Sequence, residues 1–459
     1  MTVASINGEK SRRLALAARQ AIEQIGSRLD LDLWIRLWDG SRVPLGRNVT
    51  GDLTLSISSP GVISSILRWP TLDRVLRHYL HGQIDFEGGT LIDLGNLLAF
   101  RRTRSELKQL NKWHLFKRIL PFLLAKADKP ERGRGYGKGE VGTGRAERDE
   151  KSYIQFHYDV GNAFYRLFLD ARMIYTCAYF TDSSNSLDRA QRDKLEMICR
   201  KLRLQPGERF LDIGCGWGGL VCYAAENFGV EAHGVTLSQE QLDYAQTEIE
   251  RRGLTDKVRV ELMDYRDLTG QFDKIASIGM YEGISIANYE AYFKKIRGLL
   301  DDRGIFLNHG ITRRAKRKIE KFGKISPGKQ VILKYIFPGS ELDHIGHTLQ
   351  VMESCGFEAH DVEGLRLHYA RTLRLWHDRL VTRREEAIAL AGAELYRMWI
   401  AYLAGVMGAF ERGPLHLFQI VAAKQSAKAA SPLPPTRDDL YRAAAPQSHG
   451  RDVDSPTSD

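Results

Sequence analysis

Apolar and polar positions follow two rhythms along this chain. Leu14 to Leu29 carries apolar residues at helical spacing, whereas Leu31 to Trp38 and Leu53 to Ile57 alternate apolar and polar positions as half-buried strands do. These mixed elements fill residues 1–125. Further on, strands and helices take turns. Strands are predicted at 209–213, 231–236, 258–263, 274–278 and 304–309, and helices at 218–228, 239–252 and 289–300. A run of strand–helix units predicts a parallel sheet covered on both faces. Between the two regions, Lys126 to Arg148 is Gly-rich and charged with almost no apolar residues, which marks a linker over 126–150. Residues 426–459 are rich in Ala, Pro, Ser and Asp and read as a disordered tail, so 151–425 is left as the second domain.

Composition narrows the class. The chain has 459 residues, 43% hydrophobic and 27% charged, which suits a core-forming protein of about two or three domains. No apolar run reaches about 18 residues, so a membrane-embedded bundle is excluded, and Met1 to Leu16 lacks the apolar stretch of a secretory signal. Five cysteines without CxxC spacing argue against a disulfide framework or a structural metal and for a reducing cytosol. The net charge of +10 has three readings: nucleic acid, an anionic membrane surface, or no particular partner.

Candidate chemistry begins at Leu211-Asp212-Ile213-Gly214-Cys215-Gly216-Trp217-Gly218-Gly219, which follows a predicted strand and opens a predicted helix. Glycines at 214, 216 and 218 let the backbone turn sharply and approach a ligand closely, although helix–strand packing alone would use the same residues. The spacing is GxGxG with Asp212 just upstream, not the dinucleotide fingerprint. It is similar to the turn with which class I methyltransferases hold S-adenosylmethionine. The next strand ends at Thr236 without the usual acid, and Gln241 is the nearest substitute hydrogen-bonding side chain. Asp264, Tyr265 and Arg266 stand where an adenine clamp is expected, Tyr265 to stack and Asp264 to accept from the exocyclic amine; an ordinary polar loop is the plainer alternative.

Several segments together resemble one family. They are His157-Tyr158-Asp159-Val160-Gly161-Asn162, Tyr175-Thr176-Cys177-Ala178-Tyr179-Phe180, the glycine turn, Gly234 to Ser238, Met263 to Asp267, Gly279-Met280-Tyr281-Glu282 and Lys334-Tyr335-Ile336-Phe337-Pro338-Gly339. This series is similar to the cyclopropane-fatty-acyl-phospholipid synthases and the related mycolic-acid cyclopropane synthases, over roughly residues 150–425. Residues 1–125 resemble, more loosely, the N-terminal domain of the phospholipid-acting branch. The resemblance implies an α/β fold: a Rossmann-like class I methyltransferase domain with added helices, plus a smaller N-terminal α+β domain. It implies S-adenosylmethionine as methyl donor, bicarbonate as base, and an unsaturated phospholipid as substrate. An alkene is a poor nucleophile and its methylation creates a carbocation, so the site must be dry and must present a weak base.

The resemblance also implies roles. Cys177 stands beside the bicarbonate as a donor rather than a nucleophile; Glu282 accepts from it and orients it; His309 and Tyr369 hold it; and Ile311 presents a backbone donor. Tyr175, Thr176, Gly214, Gly216, Thr236, Gln241, Tyr265 and Arg266 serve S-adenosylmethionine. Each of Cys177, Glu282, His309 and Tyr369 has a plainer structural explanation by itself, but a silent lipid-binding module would have no reason to keep all four. Two positions depart from the family. Gly283 follows Glu282 where a His is common, and Val406 stands near a place that often carries Cys. The first leaves open a methyl- or methylene-branched product.

The charge has two concentrations. Phe100 to Ala125 joins Trp113, Phe116, Leu120 and Leu124 to Arg101, Lys112, Lys117 and Arg118, the pattern of an interfacial helix or of ordinary domain packing. Arg313 to Lys324 forms a second basic run, read as a headgroup-facing lip or as a solvated helix face. No helix-turn-helix, zinc-finger or RNP-like segment is present, so nucleic acid is not an expected partner. Peripheral attachment to the cytoplasmic membrane face is expected, and a homodimer is what the phospholipid branch implies. Aromatic residues near Tyr335, Phe337, Trp376, Trp399 and Tyr402 are candidate walls of an acyl pocket.

Overall fold

The helical spacing near the start is realised as one helix, Val3–Leu29. The structure is a computed structural model that describes residues 3–99, 112–131, 160–317 and 325–441. The motif residues His157 to Asp159, most of the linker, Phe100 to Asn111, Lys318 to Lys324 and the end of the tail lie outside the described residues.

The chain divides into two compact units. The first takes residues 1–137 together with 324–336 and 383–408, so it is discontinuous in sequence. Its sheet has the order β2-β1-β3-β4, with β1 (Trp34–Arg36), β2 (Arg42–Pro44), β3 (Thr54–Ile57) and β4 (Ile84–Glu87). Only β1 and β3 run parallel. The apolar positions of the alternating segments, Leu31, Leu33, Ile35 and Leu37, enter a core with Leu14, Ala18 and Phe122 from two helices. The late segments are tied in by polar contacts. Asp73 accepts from Lys334 Nζ at 2.7 Å and Tyr335 Oη at 2.8 Å. Arg397 forks onto Asp85, at 2.6 and 3.0 Å. Three of the aromatic residues singled out for an acyl pocket, Tyr335, Trp399 and Tyr402, lie in this unit.

The second unit, residues 138–323, 337–382 and 409–459, holds a seven-stranded sheet of order β10-β11-β9-β8-β5-β6-β7. The strands are β5 (Arg209–Ile213), β6 (Glu231–Thr236), β7 (Val258–Leu262), β8 (Phe272–Ile278), β9 (Leu300–Arg313), β10 (Phe357–Gly364) and β11 (Leu415–Lys424). The five predicted strands are present and pair in parallel, β7-β6-β5-β8-β9. The wholly parallel sheet expected from the strand–helix units is corrected by β10 and β11, which add antiparallel strands beyond β9. His309 was expected at a strand end, but β9 runs on to Arg313 because β11 continues to pair with it after β8 has stopped. Arg313 therefore sits in a strand rather than on a solvated helix, with its Nε on the Leu342 carbonyl at 2.8 Å.

Candidate active site

The glycine turn joins the end of β5 to the helix Gly219–Phe228. Gly214, Gly216 and Gly218 have φ of 79°, 56° and 82°, the left-handed region that costs an L side chain energy. The turn is pinned to β6 by the amides of Gly214 and Cys215, which both donate to the Val235 carbonyl at 3.0 Å. A Cβ on Gly214 would lie 3.0 Å from Met280, so the loops after β5 and β8 touch. A Cβ on Gly216 would meet nothing within 4 Å. The turn is thus tight behind Gly214 and open in front of Gly216.

Asp212 is buried, and its Oδ1 has no hydrogen-bond partner among the described residues. Burial pushes its carboxyl up to about 7, partly offset by the Lys194 charge. At the end of β6, Thr236 Oγ1 donates to Gln241 Oε1 at 2.7 Å, so these two expected cofactor residues are locked together. Asp264 is engaged by its neighbour: Arg266 forks onto it at 2.9 and 2.6 Å. Tyr265 packs edge-on against Tyr292, with ring centroids 5.4 Å apart.

Glu282 lies in the single 3-10 turn Tyr281–Gly283, four residues past β8. Its Oε1 accepts the Ile311 amide at 2.6 Å. The donor expected to face an anion therefore faces Glu282. The residue is half-buried, but Oε2 is wholly buried and unpartnered among the described residues. Burial pushes this carboxyl up to about 7, against the Ile311 bond, which lowers it. His309, two residues before Ile311 and so on the same face of β9, is 1% exposed. Its Nδ1 lies 3.1 Å from Gln419 Nε2, and its Nε2 has no partner among the described residues. Burial, then the charges of Lys194 and Lys201, hold the imidazole far below its ordinary range.

Cys177 is fully buried, with Sγ 3.2 Å from the Ala178 carbonyl. Burial pushes the thiol up, which keeps it neutral. The next amide, of Ala178, donates to Thr372 Oγ1 at 3.0 Å. That bond brings the Tyr175–Cys177 segment to the helix Arg366–Thr382, which carries Tyr369 one turn earlier. Tyr175, Tyr369 and Phe168 gather round the buried Trp376, at centroid distances of 5.2 to 6.2 Å. A Cβ on Gly279 would lie 2.8 Å from Thr176, which sets the Cys177 segment against the end of β8.

One group links these pieces: Lys194, buried, with Nζ on Thr176 Oγ1 at 2.8 Å and its charge felt by Asp212, Cys177 and His309. Sequence reasoning passed over Lys194, Lys201 and Gln419. The helix Leu187–Leu202 offered a signal, because Leu187, Gln191, Lys194, Ile198 and Lys201 share one heptad stripe and all but Ile198 and Leu187 are polar. Gln419 stood inside an otherwise apolar strand run.

A glycine turn after β5, a buried acid before it and the order of the seven strands define a class I methyltransferase, the fold shared with S-adenosylmethionine-dependent enzymes. A family model described as "Mycolic acid cyclopropane synthetase" matches residues 145–420, and the chain belongs to this family of S-adenosylmethionine-dependent methyltransferases. A "Probable fatty acid methyltransferase" from Pseudomonas putida is 37% identical over 90% of this chain and 97% of its own length. The cyclopropane-fatty-acyl-phospholipid synthase of Escherichia coli is 39% identical over 58% of this chain and 66% of its own. Among solved structures, the cyclopropane synthase MmaA2 of Mycobacterium tuberculosis matches with a TM-score of 0.58 at 31% identity, covering 61% of this chain and all of that one. The mycolic acid cyclopropane synthase CmaA1, in complex with SAH and CTAB, matches with 0.57 at 34% identity, over 60% of this chain and 98% of its own.

Proposed function

We propose that this enzyme transfers a methylene group from S-adenosylmethionine to the cis double bond of an unsaturated acyl chain in a membrane phospholipid, giving a cyclopropane ring with bicarbonate as the base. The observation that carries the reading is the pair of buried polar atoms Glu282 Oε2 and His309 Nε2, both without a partner among the described residues and joined through Ile311. A buried polar atom without a partner costs about 1–3 kcal/mol, so a ligand that partners both repays a standing cost. Bicarbonate fits in kind, since it offers an O–H to a carboxylate and oxygens to an imidazole donor. The methyl donor fits Asp212 Oδ1, because its ammonium and ribose hydroxyls are donors that this oxygen lacks among the described residues, and Gly216 leaves room in front of the turn. When bound, S-adenosylmethionine supplies an electrophilic methyl and bicarbonate a weak base.

The chain's own residues do the rest. Asp212 and the Thr236–Gln241 pair hold and orient the donor, and Tyr265 flanks it. Glu282 accepts at Oε2 and is itself held by the Ile311 amide. Cys177, Tyr175, Tyr369 and Trp376 keep the reacting region dry, which a carbocation requires. Among the described residues no helix is long and apolar enough to cross a membrane. Access to lipid is instead assigned to the helix Lys112–Leu124, where Trp113 is 63% and Leu124 79% exposed and Lys117 lies over the Trp113 ring. Such an apolar face with a cationic rim suits the anionic inner leaflet.

A second reading is favoured by the Pseudomonas relative, whose name is that of a fatty acid methyltransferase. Proton loss from the acyl chain rather than from the new methyl would give a methyl-branched alkene, and a 1,2-hydride shift before proton loss from the methyl would give a methylene branch; Gly283 beside Glu282 alters the wall at that point. Mass spectrometry and NMR of lipids from cells expressing the chain separate the readings. A gain of one CH2 with ring protons and no olefin is expected. Retained olefin protons would favour the branched product, and no mass change would remove both.

A further inference from the structure

His309 does not stand alone on β9. Its Cα partner across the antiparallel ladder is Gln419 of β11, which is fully buried. Gln419 Nε2 lies 3.1 Å from His309 Nδ1, and Gln419 Oε1 lies 2.7 Å from Lys201 Nζ. Lys201 is 2% exposed and is anchored in turn by an ion pair with Glu363 of β10.

The donor and acceptor inventory allows one arrangement. An ammonium has three donors and no acceptor, so the Gln419 atom facing Lys201 must be its oxygen. The amide nitrogen then faces His309 and can only donate. Nδ1 must therefore offer its lone pair, and the ring proton is on Nε2. Nε2 is the buried ring atom left without a partner among the described residues. We propose that Lys201 and Gln419 are positioning residues that hold His309 as the neutral Nε2–H tautomer, so that it acts on whatever enters beside it as a hydrogen-bond donor and never as a base. The Lys194 and Lys201 charges, which both bear on the ring, oppose a second proton. The tautomer follows from this geometry alone; its value for turnover rests on the reading of the site given above.

NMR of the full chain labelled with 15N-histidine tests the first part without any lipid, the His309 signals being those lost in His309→Gln. A pyridine-like Nδ1 and a pyrrole-like Nε2 are expected across the pH range in which the protein stays folded. Gln419→Glu keeps a partner for Lys201 but can only accept from the ring, so the proton should move to Nδ1. Binding of S-adenosylhomocysteine should change by less than about twofold, while kcat falls by about 100-fold, the usual loss when one preorganised donor is removed. Gln419→Leu should leave mixed tautomers and an intermediate kcat. A protonated imidazole or an Nδ1–H signal in the parent protein would overturn the tautomer. An inverted tautomer in Gln419→Glu with unchanged kcat would overturn its role. Absence of any lipid product from the parent chain would count against the proposed function and leave the tautomer result standing.

Discussion

At the scale of single residues, the site is defined by what its buried polar atoms lack. Glu282 is half satisfied: one oxygen has the Ile311 amide and the other has nothing among the described residues. Glu282→Gln keeps the shape and loses the acceptor charge. Turnover should drop by about 100-fold or more, with S-adenosylhomocysteine affinity nearly unchanged; calorimetry and a lipid assay read the two quantities. Unchanged turnover would remove Glu282 from the site.

Asp212 and Glu282 are pushed up to about 7 and Asp170 to about 6, in each case first by burial. Their folded pKa values lie above the unfolded ones, so the folded chain holds these protons more tightly. Stability from them is full below the unfolded carboxyl range and is lost as pH rises through 6 to 7. Asp73 and Asp264 shift the other way, but both are ionised in either state above about pH 5.5. Lys194, pushed down to about 8, has the opposite slope, and only from pH 8 upward. Burial holds His78, His233, His309 and His368 below their ordinary range, so their contribution grows as pH rises through about 6.5 and opposes the carboxyls. The test is therefore a difference: between about pH 5.5 and 7.5 the melting temperature of ligand-free Asp212→Asn should fall less, or rise more, than that of the parent, and calorimetry across the range checks it.

At the scale of elements, the glycine turn separates two kinds of constraint. Gly218, at φ 82°, has Ala245 Cβ 3.1 Å from where its own Cβ would stand, so Gly218→Ala strains the start of the helix. A loss of about 1–3 kcal/mol in denaturant unfolding is expected. Gly216 at φ 56° has open space, so Gly216→Ala should cost about 1 kcal/mol of stability yet weaken S-adenosylhomocysteine binding at least tenfold. Equal effects of the two changes on binding would contradict a ligand in front of Gly216. The strands around this turn were legible because short apolar runs bounded by Gly and polar residues leave few choices: β5 and β6 fall on 209–213 and 231–236 as expected. The length of β9 was not legible. Nothing local to Gly310 or Ile311 says that the strand continues; its partner β11 comes from residues 415–424.

At the scale of the whole molecule, the basic charge finds a described location on the helix Lys112–Leu124, where Trp113 and Phe116 stack with centroids 6.1 Å apart. Binding to anionic vesicles should weaken as salt rises from about 50 to 500 mM and should fall several-fold in Trp113→Ala/Leu124→Ser. Equal binding to neutral and anionic vesicles in a sedimentation assay would remove the headgroup reading. The first unit also gathers residues 324–336 and 383–408, far from its other members in the chain. Sequence order offers no sign of this, because Asp73 with Lys334 and Asp85 with Arg397 meet only after folding.

The sequence by itself determined the family, the glycine turn and most strand positions of the parallel region, because periodicity and turn chemistry are local and the motif residues are few and specific. Tertiary structure alone decided which polar groups are satisfied. Lys194, Lys201 and Gln419 look like common surface residues until burial removes water and leaves each with only the partners that the fold supplies. Burial also lifts two carboxyls towards neutrality and leaves the ring of His309 uncharged, and those shifts belong to the packed interior rather than to any residue's type.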